Sequence, residues 1–360
     1  MTPGDTTPEA PGAVGADQAL DGKDAPRKPR RFLRVVLALL ISLVLGAALA
    51  VGVAFFYGKY LFETSGPHDE AAIIMLEPGM GVRAIADRLE REGVISDANV
   101  FLAGVRLSRA ERQLKAGEYE IPAGASMAAI MGILREGRSI LHRLTIAEGL
   151  TSEQAMLLVE AHPALQGDMP PTPAEGALLP ETYSFTRGTT REKIVADMVA
   201  AATRTMDELW DKRAPDLPFK TREEAIILAS IVEKETGVAS ERPRVAAVFV
   251  NRLKASMRLQ SDPTIIYGLV GGKGSLGRPI RRSELQRLTP YNTYLVDGLP
   301  PTPICNPGRA SLEAVLNPPV TNEYYFVADG TGGHAFSRTL AEHQQRVREW
   351  RQIERERGLR

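Results

Sequence analysis

Cysteine and net charge are the two things that this 360-residue sequence has least of. Its one cysteine, Cys305, cannot form an intrachain disulfide or a zinc site built from several thiolates. The 44 basic and 44 acidic side chains give a formal net charge of zero, whereas a chain that binds nucleic acid along its length is usually strongly basic. The composition therefore predicts a fold without a disulfide framework and without a nucleic-acid partner.

The signatures of several common catalytic sites are missing as well. The five histidines show no H-E-x-x-H spacing, and the chain contains no G-x-S-x-G nucleophile elbow. The Gly-rich segment 268–277 fails the P-loop pattern because Gly274 follows Lys273 where Ser or Thr is required. A Ser/His triad stays open, although nothing in the sequence marks one.

A long apolar run lies near the N-terminus. Residues 1–30 are rich in Pro, Gly, Ala and Asp, which predicts a disordered tail, and six basic residues lie between Lys23 and Arg34. The 23 residues 35–57 carry no charge, and as a helix they would extend about 34 Å, enough to cross a bilayer core. The positive-inside rule predicts a cytoplasmic tail, with the chain after Tyr57 outside the cytoplasm.

A cleaved signal peptide is the competing interpretation of this run. Residues 48–50, Ala-Leu-Ala, resemble a cleavage site of the A-x-A type. The run is longer than a usual signal-peptide core and continues through Phe56. Its length therefore favours an uncleaved single-pass anchor.

The rest of the chain predicts an α+β fold. A short apolar strand, a Gly turn and an amphipathic helix follow one another three times, with the strands beginning near Ile73, Tyr119 and Leu144. Ordinary α+β structure explains this pattern, and so does a LysM-like module, a small glycan-binding sheet with helices on one side. The Pro-rich residues 162–182 predict a linker or a long loop between domains.

One apolar segment, residues 225–232, runs directly into two carboxylates. In a helix, Glu233 lies above Ala229 on the face that we expect to be buried, where the pKa of a carboxyl rises unless it is paired. Such a group can act as a general acid near neutral pH. Glu235 lies about 200° further round the helix and therefore on another face. An exposed, charged helix end is the alternative, and spacing alone does not decide between them.

The segment 229–236, Ala-Ser-Ile-Val-Glu-Lys-Glu-Thr, resembles the active-site segment of the endolytic murein transglycosylases, the MltG/YceG-like family. Further segments resemble that family in the same order along the chain: residues 175–183, 249–253, 257–264, 266–268, 291–294, 298–301, 325–330 and 332–334. The resemblance covers roughly residues 30–345. Two small departures are Ser261, where Thr is common, and residues 304–306.

The resemblance implies an α+β chain with a single N-terminal transmembrane helix, a small LysM-like α+β module and a larger α+β catalytic domain. The expected boundaries are 1–34 for a tail with its basic cluster, 35–57 for the transmembrane helix, 70–140 for the LysM-like module, 141–345 for the catalytic domain and 346–360 for the end of a C-terminal helix. The implied location is the bacterial plasma membrane, with the catalytic domain outside the cytoplasm.

Members of this family cut peptidoglycan glycan strands between N-acetylmuramic acid and N-acetylglucosamine without water and leave a 1,6-anhydro end. Because the sugar's own C6 hydroxyl attacks, one carboxyl can serve as acid and then as base, a role assigned to Glu233. Gln260, Asp262, Asn292 and Tyr294 are expected to contact the sugar or to orient the acid. No metal or cofactor is implied, and peptidoglycan synthases are candidate partners beside the glycan and the membrane.

Two other functions compete with this one. A non-catalytic glycan-binding scaffold of the wall-synthesis machinery would use only the LysM-like part. A true glycoside hydrolase would use water and needs two carboxylates flanking the bond. The mass of the product ends separates the three.

Overall fold

The N-terminal helix α1 is the first element of the computed structural model, which describes residues 30–358. This helix, Arg30–Glu63, has 34 residues and is about 51 Å long. Among the described residues it is the one helix that is long and apolar enough to cross a membrane by length and composition. It contains the predicted span 35–57 and extends beyond it at both ends, whereas the predicted tail lies mostly outside the described residues. A second compact unit begins at Thr64.

Residues 72–121 form a β-α-α-β arrangement. Its elements are β1 (Ala72–Leu76), α2 (Val82–Arg91), α3 (Ala98–Leu107) and β2 (Gly117–Ile121). The two strands are antiparallel, with Ala72 opposite Ile121. Ile74 and Leu76 point into the core while Ile73 is exposed, as the two-residue period of a strand requires.

The next segment carries the other two predicted strand–helix repeats. It contains α4 (Met127–Glu136), β3 (Leu141–Thr145), α5 (Ser152–Ala161), β4 (Leu165–Gln166), β5 (Thr182–Thr186) and β6 (Thr189–Thr190). All three repeats form a strand and a helix, but β1 pairs with β2 whereas β3 pairs with β5. The Pro-rich stretch is a loop that returns to the core, because Leu178 is buried beside Leu144 and Met198.

A mostly helical layer completes this unit. Its elements are α6 (Arg191–Asp211), α7 (Arg222–Glu235), α8 (Arg242–Lys254), α9 (Asp262–Val270), α10 (Arg282–Leu285), α11 (Arg309–Leu316), the antiparallel strands β7 (Tyr325–Ala328) and β8 (His334–Ser337), and α12 (Leu340–Glu356). A capping box of Thr221 and Glu224 starts α7, and Pro243 lies in the first turn of α8. Leu228, Phe249 and Val315 of three of these helices meet in one core.

Cys305 lies fully buried against α7. Its Sγ donates a weak hydrogen bond to the carbonyl of Ser230 over 3.4 Å, and the amide of the preceding Ile304 donates to Ser230 Oγ over 3.0 Å. Burial raises the pKa of the thiol far above its usual range. Cys305 is therefore a small core residue rather than a nucleophile.

Candidate active site

A cavity of about 400 Å³ lies where the end of α7 meets α8, the start of α9, β7 and α12. Its lining combines two carboxyl groups and a guanidinium with phenyl and aliphatic groups. The residues that line it are Glu235, Arg252, Leu259, Gln260, Asp262, Tyr294, Phe326, Val327 and His343. Three of the four residues predicted to contact substrate, namely Gln260, Asp262 and Tyr294, therefore meet here.

Glu235, the last residue of α7, is the carboxyl at the centre of this lining. Its pKa is raised to about 7 overall; burial is the main cause, and the neighbouring charge of Asp262 acts in the same direction. A hydrogen bond from Ser261 Oγ to Oε1, 2.5 Å long, lowers the pKa again, as do the charges of His334 and Arg252. The balance gives a carboxyl that is about half protonated at neutral pH, which a general acid requires.

Arg252 places a buried guanidinium in the lining of the cavity. Arg252 is only 7% exposed to solvent, and its Nε donates to the carbonyl of Tyr324 over 2.6 Å. Its Nη1 donates to the carbonyl of Leu259 over 2.7 Å, and the guanidinium lies 5.3 Å from the ring centroid of Tyr325. These contacts join α8 to β7 and to the loop before α9, so a buried cation is held in one position.

The backbone at Gln260 is strained. Its φ of 53° lies in the left-handed region, which costs a residue with a side chain about 1 kcal/mol or more. The amide of Gln260 donates to the carbonyl of Thr293, and the amide of Ser261 donates to Thr293 Oγ1 over 2.9 Å. Thr293 thus holds the turn that presents both Gln260 and Ser261 to the cavity.

Asp262 and Tyr294 form a pair on the cavity wall. The hydroxyl of Tyr294 donates to Asp262 Oδ1 over 2.7 Å, and burial raises the pKa of that phenol. Asp262 is also the first residue of α9 and is followed by Pro263 in the first turn of that helix. The pair gives the cavity a neutral phenol beside a carboxylate.

Asn292 does not lie in the cavity. It is 1% exposed, and its Nδ2 donates to the carbonyls of Leu285 and Arg287 over 3.0 and 2.8 Å. Its Oδ1 accepts from the amide of Tyr294 over 3.1 Å. Asn292 therefore shapes the loop that carries Tyr294, and the expected sugar contact is not available to it in this arrangement.

Glu233 is buried, as predicted, but on the opposite side of α7 from the cavity. Its side chain is 5% exposed, and its Oε2 accepts from the amide of Gly308 over 2.9 Å. Its Oε1 lies 3.6 Å from Nη2 of Arg242, which also lies 3.7 Å from Glu148 Oε2. This carboxyl joins α7, α8 and the start of α11. A catalytic role for Glu233 stays a prediction, and the geometry favours Glu235.

Sequence reasoning found the two carboxylates and their separate faces, but it did not identify the face that lines the cavity. Two further lining residues, Arg252 and His343, were also not singled out. A helical projection of α7 shows which positions share a face, but not which distant segments pack against it. The proximity of Ser261 to Glu235 depends on such a long-range contact.

His334 is held at the edge of the site. Its Nδ1 lies 2.8 Å from Glu241 Oε2, and its backbone amide donates to Oε1 of the same carboxylate over 3.0 Å. This double contact indicates a structural role for His334. Within residues 30–358, no group of three or more His, Cys, Asp and Glu side chains is arranged to hold a metal ion.

This chain is similar in sequence to a known protein family and to several of its members. Residues 74–349 match the model of the YceG-like family. An endolytic murein transglycosylase of Bacillus subtilis is 30% identical over 327 residues, covering 82% of this chain and 89% of that protein. One of Streptococcus pneumoniae is 27% identical over 368 aligned positions, covering 86% of this chain and 65% of that protein. A crystal structure of a yceG-like protein from Listeria monocytogenes is 31% identical, covers 77% of this chain and 99% of that one, and superposes with a TM-score of 0.46.

Proposed function

Since the chain belongs to the YceG-like family, we propose that it cleaves peptidoglycan glycan strands internally and without water, with Glu235 as both acid and base. The chain is a peptidoglycan lytic transglycosylase, that is, a carbon–oxygen lyase. The proposal concerns the bond that is cut, between N-acetylmuramic acid and N-acetylglucosamine, the 1,6-anhydro product and the residue responsible.

The observation that carries this proposal is the carboxyl of Glu235, buried in a cavity and poised to titrate near neutral pH. The hydroxyl of Ser261 occupies Oε1 as a donor, so Oε2 is left to carry the acidic proton. That proton passes to the glycosidic oxygen as the bond from C1 to this oxygen breaks. The C6 hydroxyl then bonds to C1, and its proton returns to Glu235, which restores the acid.

An intramolecular attack removes the need for an activated water or a second carboxylate. The nucleophile belongs to the sugar that is being cut, and holding it close to C1 supplies much of the rate enhancement. Asp262 is the one feature that favours a hydrolase instead, because it places a second carboxylate in the cavity. Its Oδ1 is already occupied by the hydroxyl of Tyr294, which suits a role in positioning better than one as a base.

The mass of the products tests the proposal. Purified glycan strands digested with the full-length chain should give fragments that end in anhydro-muramyl groups, one water lighter than reducing ends. Reducing ends would instead show hydrolysis with Asp262 as the partner carboxylate. Intact strands under the same conditions would leave the non-catalytic scaffold as the better explanation.

The pH dependence of cleavage reports on Ser261. In Ser261→Ala the hydrogen bond that stabilises the ionised form of Glu235 is lost, so the pKa of Glu235 rises above about 7. The alkaline fall of kcat/KM should therefore move to higher pH by about one pH unit. Ser261→Thr keeps the hydroxyl and should retain the original profile. An alkaline limb that stays in place, or moves to lower pH, would contradict the assignment of Glu235.

The anchor and the β-α-α-β arrangement complete the proposed function. We propose that α1 spans the plasma membrane once, with its N-terminus in the cytoplasm, supported by its apolar length and by the six basic residues between Lys23 and Arg34. A protease added outside intact cells should then remove the catalytic part.

We also propose that residues 70–140 act as a LysM-like glycan-binding module, so that their deletion weakens binding to insoluble peptidoglycan. Peptidoglycan synthases remain proposed partners, which cross-linking in the membrane would test.

A further inference from the structure

His343 brings the C-terminal helix into the cavity. The sequence predicts residues 340–358 as a solvated packing helix, and most of α12 is indeed exposed. His343 belongs to the partly buried face of this helix and lines the cavity beside Glu235 and Arg252. Its ring stacks on Tyr325 with the centroids 5.1 Å apart and the planes 21° from parallel, so the imidazole is held in one orientation.

The two ring nitrogens of His343 differ in their surroundings. Nδ1 is buried and has no hydrogen-bond partner among the described residues 30–358. Burial lowers the pKa of His343, and the charge of Arg252 lowers it further, so the ring is neutral at neutral pH. A neutral imidazole carries one N–H. We assign that proton to Nε2, because the other tautomer would leave a buried N–H unpaired, a rare arrangement in folded proteins.

Arg252 supplies a second donor on the same wall. Its Nε and Nη1 are used by backbone carbonyls, whereas its Nη2 makes no hydrogen bond within residues 30–358. The cavity thus holds an imidazole N–H and a guanidinium N–H that lack an acceptor. Glu235 and Asp262 already place two acidic groups there, so a further anion would meet repulsion that a neutral oxygen does not.

We propose that His343 Nε2–H, together with Arg252, binds an amide carbonyl oxygen of the sugar that is cut. This inference rests on the proposed function, because it presumes that the glycan occupies this cavity. Peptidoglycan sugars carry such oxygens in two places, in the acetamido group at C2 and in the lactyl amide that joins the stem peptide. A neutral carbonyl would satisfy both donors and hold the scissile bond against Glu235.

The test measures binding in a Glu235→Gln background, so it does not depend on turnover. His343→Phe keeps an aromatic ring on Tyr325 but removes the N–H, and we expect it to weaken binding of fully acetylated, peptide-bearing strands about tenfold. His343→Gln supplies an N–H on a flexible stem and should recover part of that loss. Thermal unfolding of each full-length variant shows whether the fold is kept, and His343→Leu, which also lacks the N–H, replaces the Phe variant if the latter unfolds.

Two modified substrates identify the oxygen. If the acetamido carbonyl is bound, the penalty of His343→Phe vanishes on N-deacetylated strands and persists on strands stripped of stem peptides by an amidase. The reverse pattern identifies the lactyl amide. A penalty that persists on both substrates, or no penalty on any of them, would overturn the proposal. Cleavage by Glu235→Gln would instead overturn the catalytic assignment, and the products in the same mixture reveal it.

Discussion

Replacing Glu235 with Gln is expected to lower the rate of strand cleavage about 10³-fold while the protein stays folded. Gln has nearly the same shape and still accepts the hydrogen bond from Ser261, which is 2.5 Å long in the native protein. It cannot release a proton to the glycosidic oxygen or take one from the C6 hydroxyl. The rate of appearance of anhydro ends, measured with purified strands and detergent-solubilised protein, gives the size of the loss.

Glu233→Gln is the matched control, because it makes the same change two residues earlier on the same helix. Its amide oxygen can still accept from the amide of Gly308, while its charge pairing with Arg242 is lost. We expect cleavage within about tenfold of the native rate and a lower melting temperature, since Arg242 loses one of its two carboxylate partners. An inactive Glu233→Gln beside an active Glu235→Gln would restore the sequence-based choice of Glu233.

Glu235→Gln is also expected to be more stable than the native protein at alkaline pH. The pKa of Glu235 is about 7 in the folded state and 4.5 for the unperturbed group, so folding favours the protonated form. The native protein therefore loses stability as the pH rises from about 4.5 to 7, and above pH 7 the full penalty remains. The penalty corresponds to about 3 kcal/mol at most. Gln carries no charge and avoids it.

Denaturant unfolding at several pH values measures this effect. The difference in the free energy of unfolding between Glu235→Gln and the native protein should be largest at pH 8 and should disappear near pH 4. Glu233→Gln serves again as the control, because the loss of its ion pair with Arg242 should lower the free energy of unfolding rather than raise it. If the difference in the free energy of unfolding between Glu235→Gln and the native protein does not change with pH, the carboxyl of Glu235 titrates normally in the native fold.

Much of the local structure follows from the sequence, since local patterns determine it. The apolar run 225–232 lies within α7, as the sequence leads us to expect, and a capping box and a proline mark the starts of α7 and α8. The helical period likewise separates Glu233 from Glu235. Gln260, Asp262 and Tyr294 were chosen from a resemblance rather than from a period, and the structure brings all three to one cavity.

The remaining features depend on contacts between distant segments. Asn292 has the chemistry of a sugar ligand, but its position is set by three backbone groups of its own loop that no local pattern reveals. The choice between Glu233 and Glu235 depends on where the turn at Ser261 packs. His343 lies on a helix whose charged sequence is typical of a solvated surface, and the partly buried face that it shares with Val347, Trp350 and Ile353 does not reveal which segments pack against it.

The buried thiol of Cys305 allows local opening of the native chain to be measured by thiol labelling. Because it is the one cysteine in the sequence, every event of modification by a thiol reagent reports on a single place. That place is the contact with Ser230, five residues before Glu235 on α7. The labelling rate therefore measures how often α7 separates from its support, and substrate that rigidifies the catalytic helix should slow the rate without any engineered label.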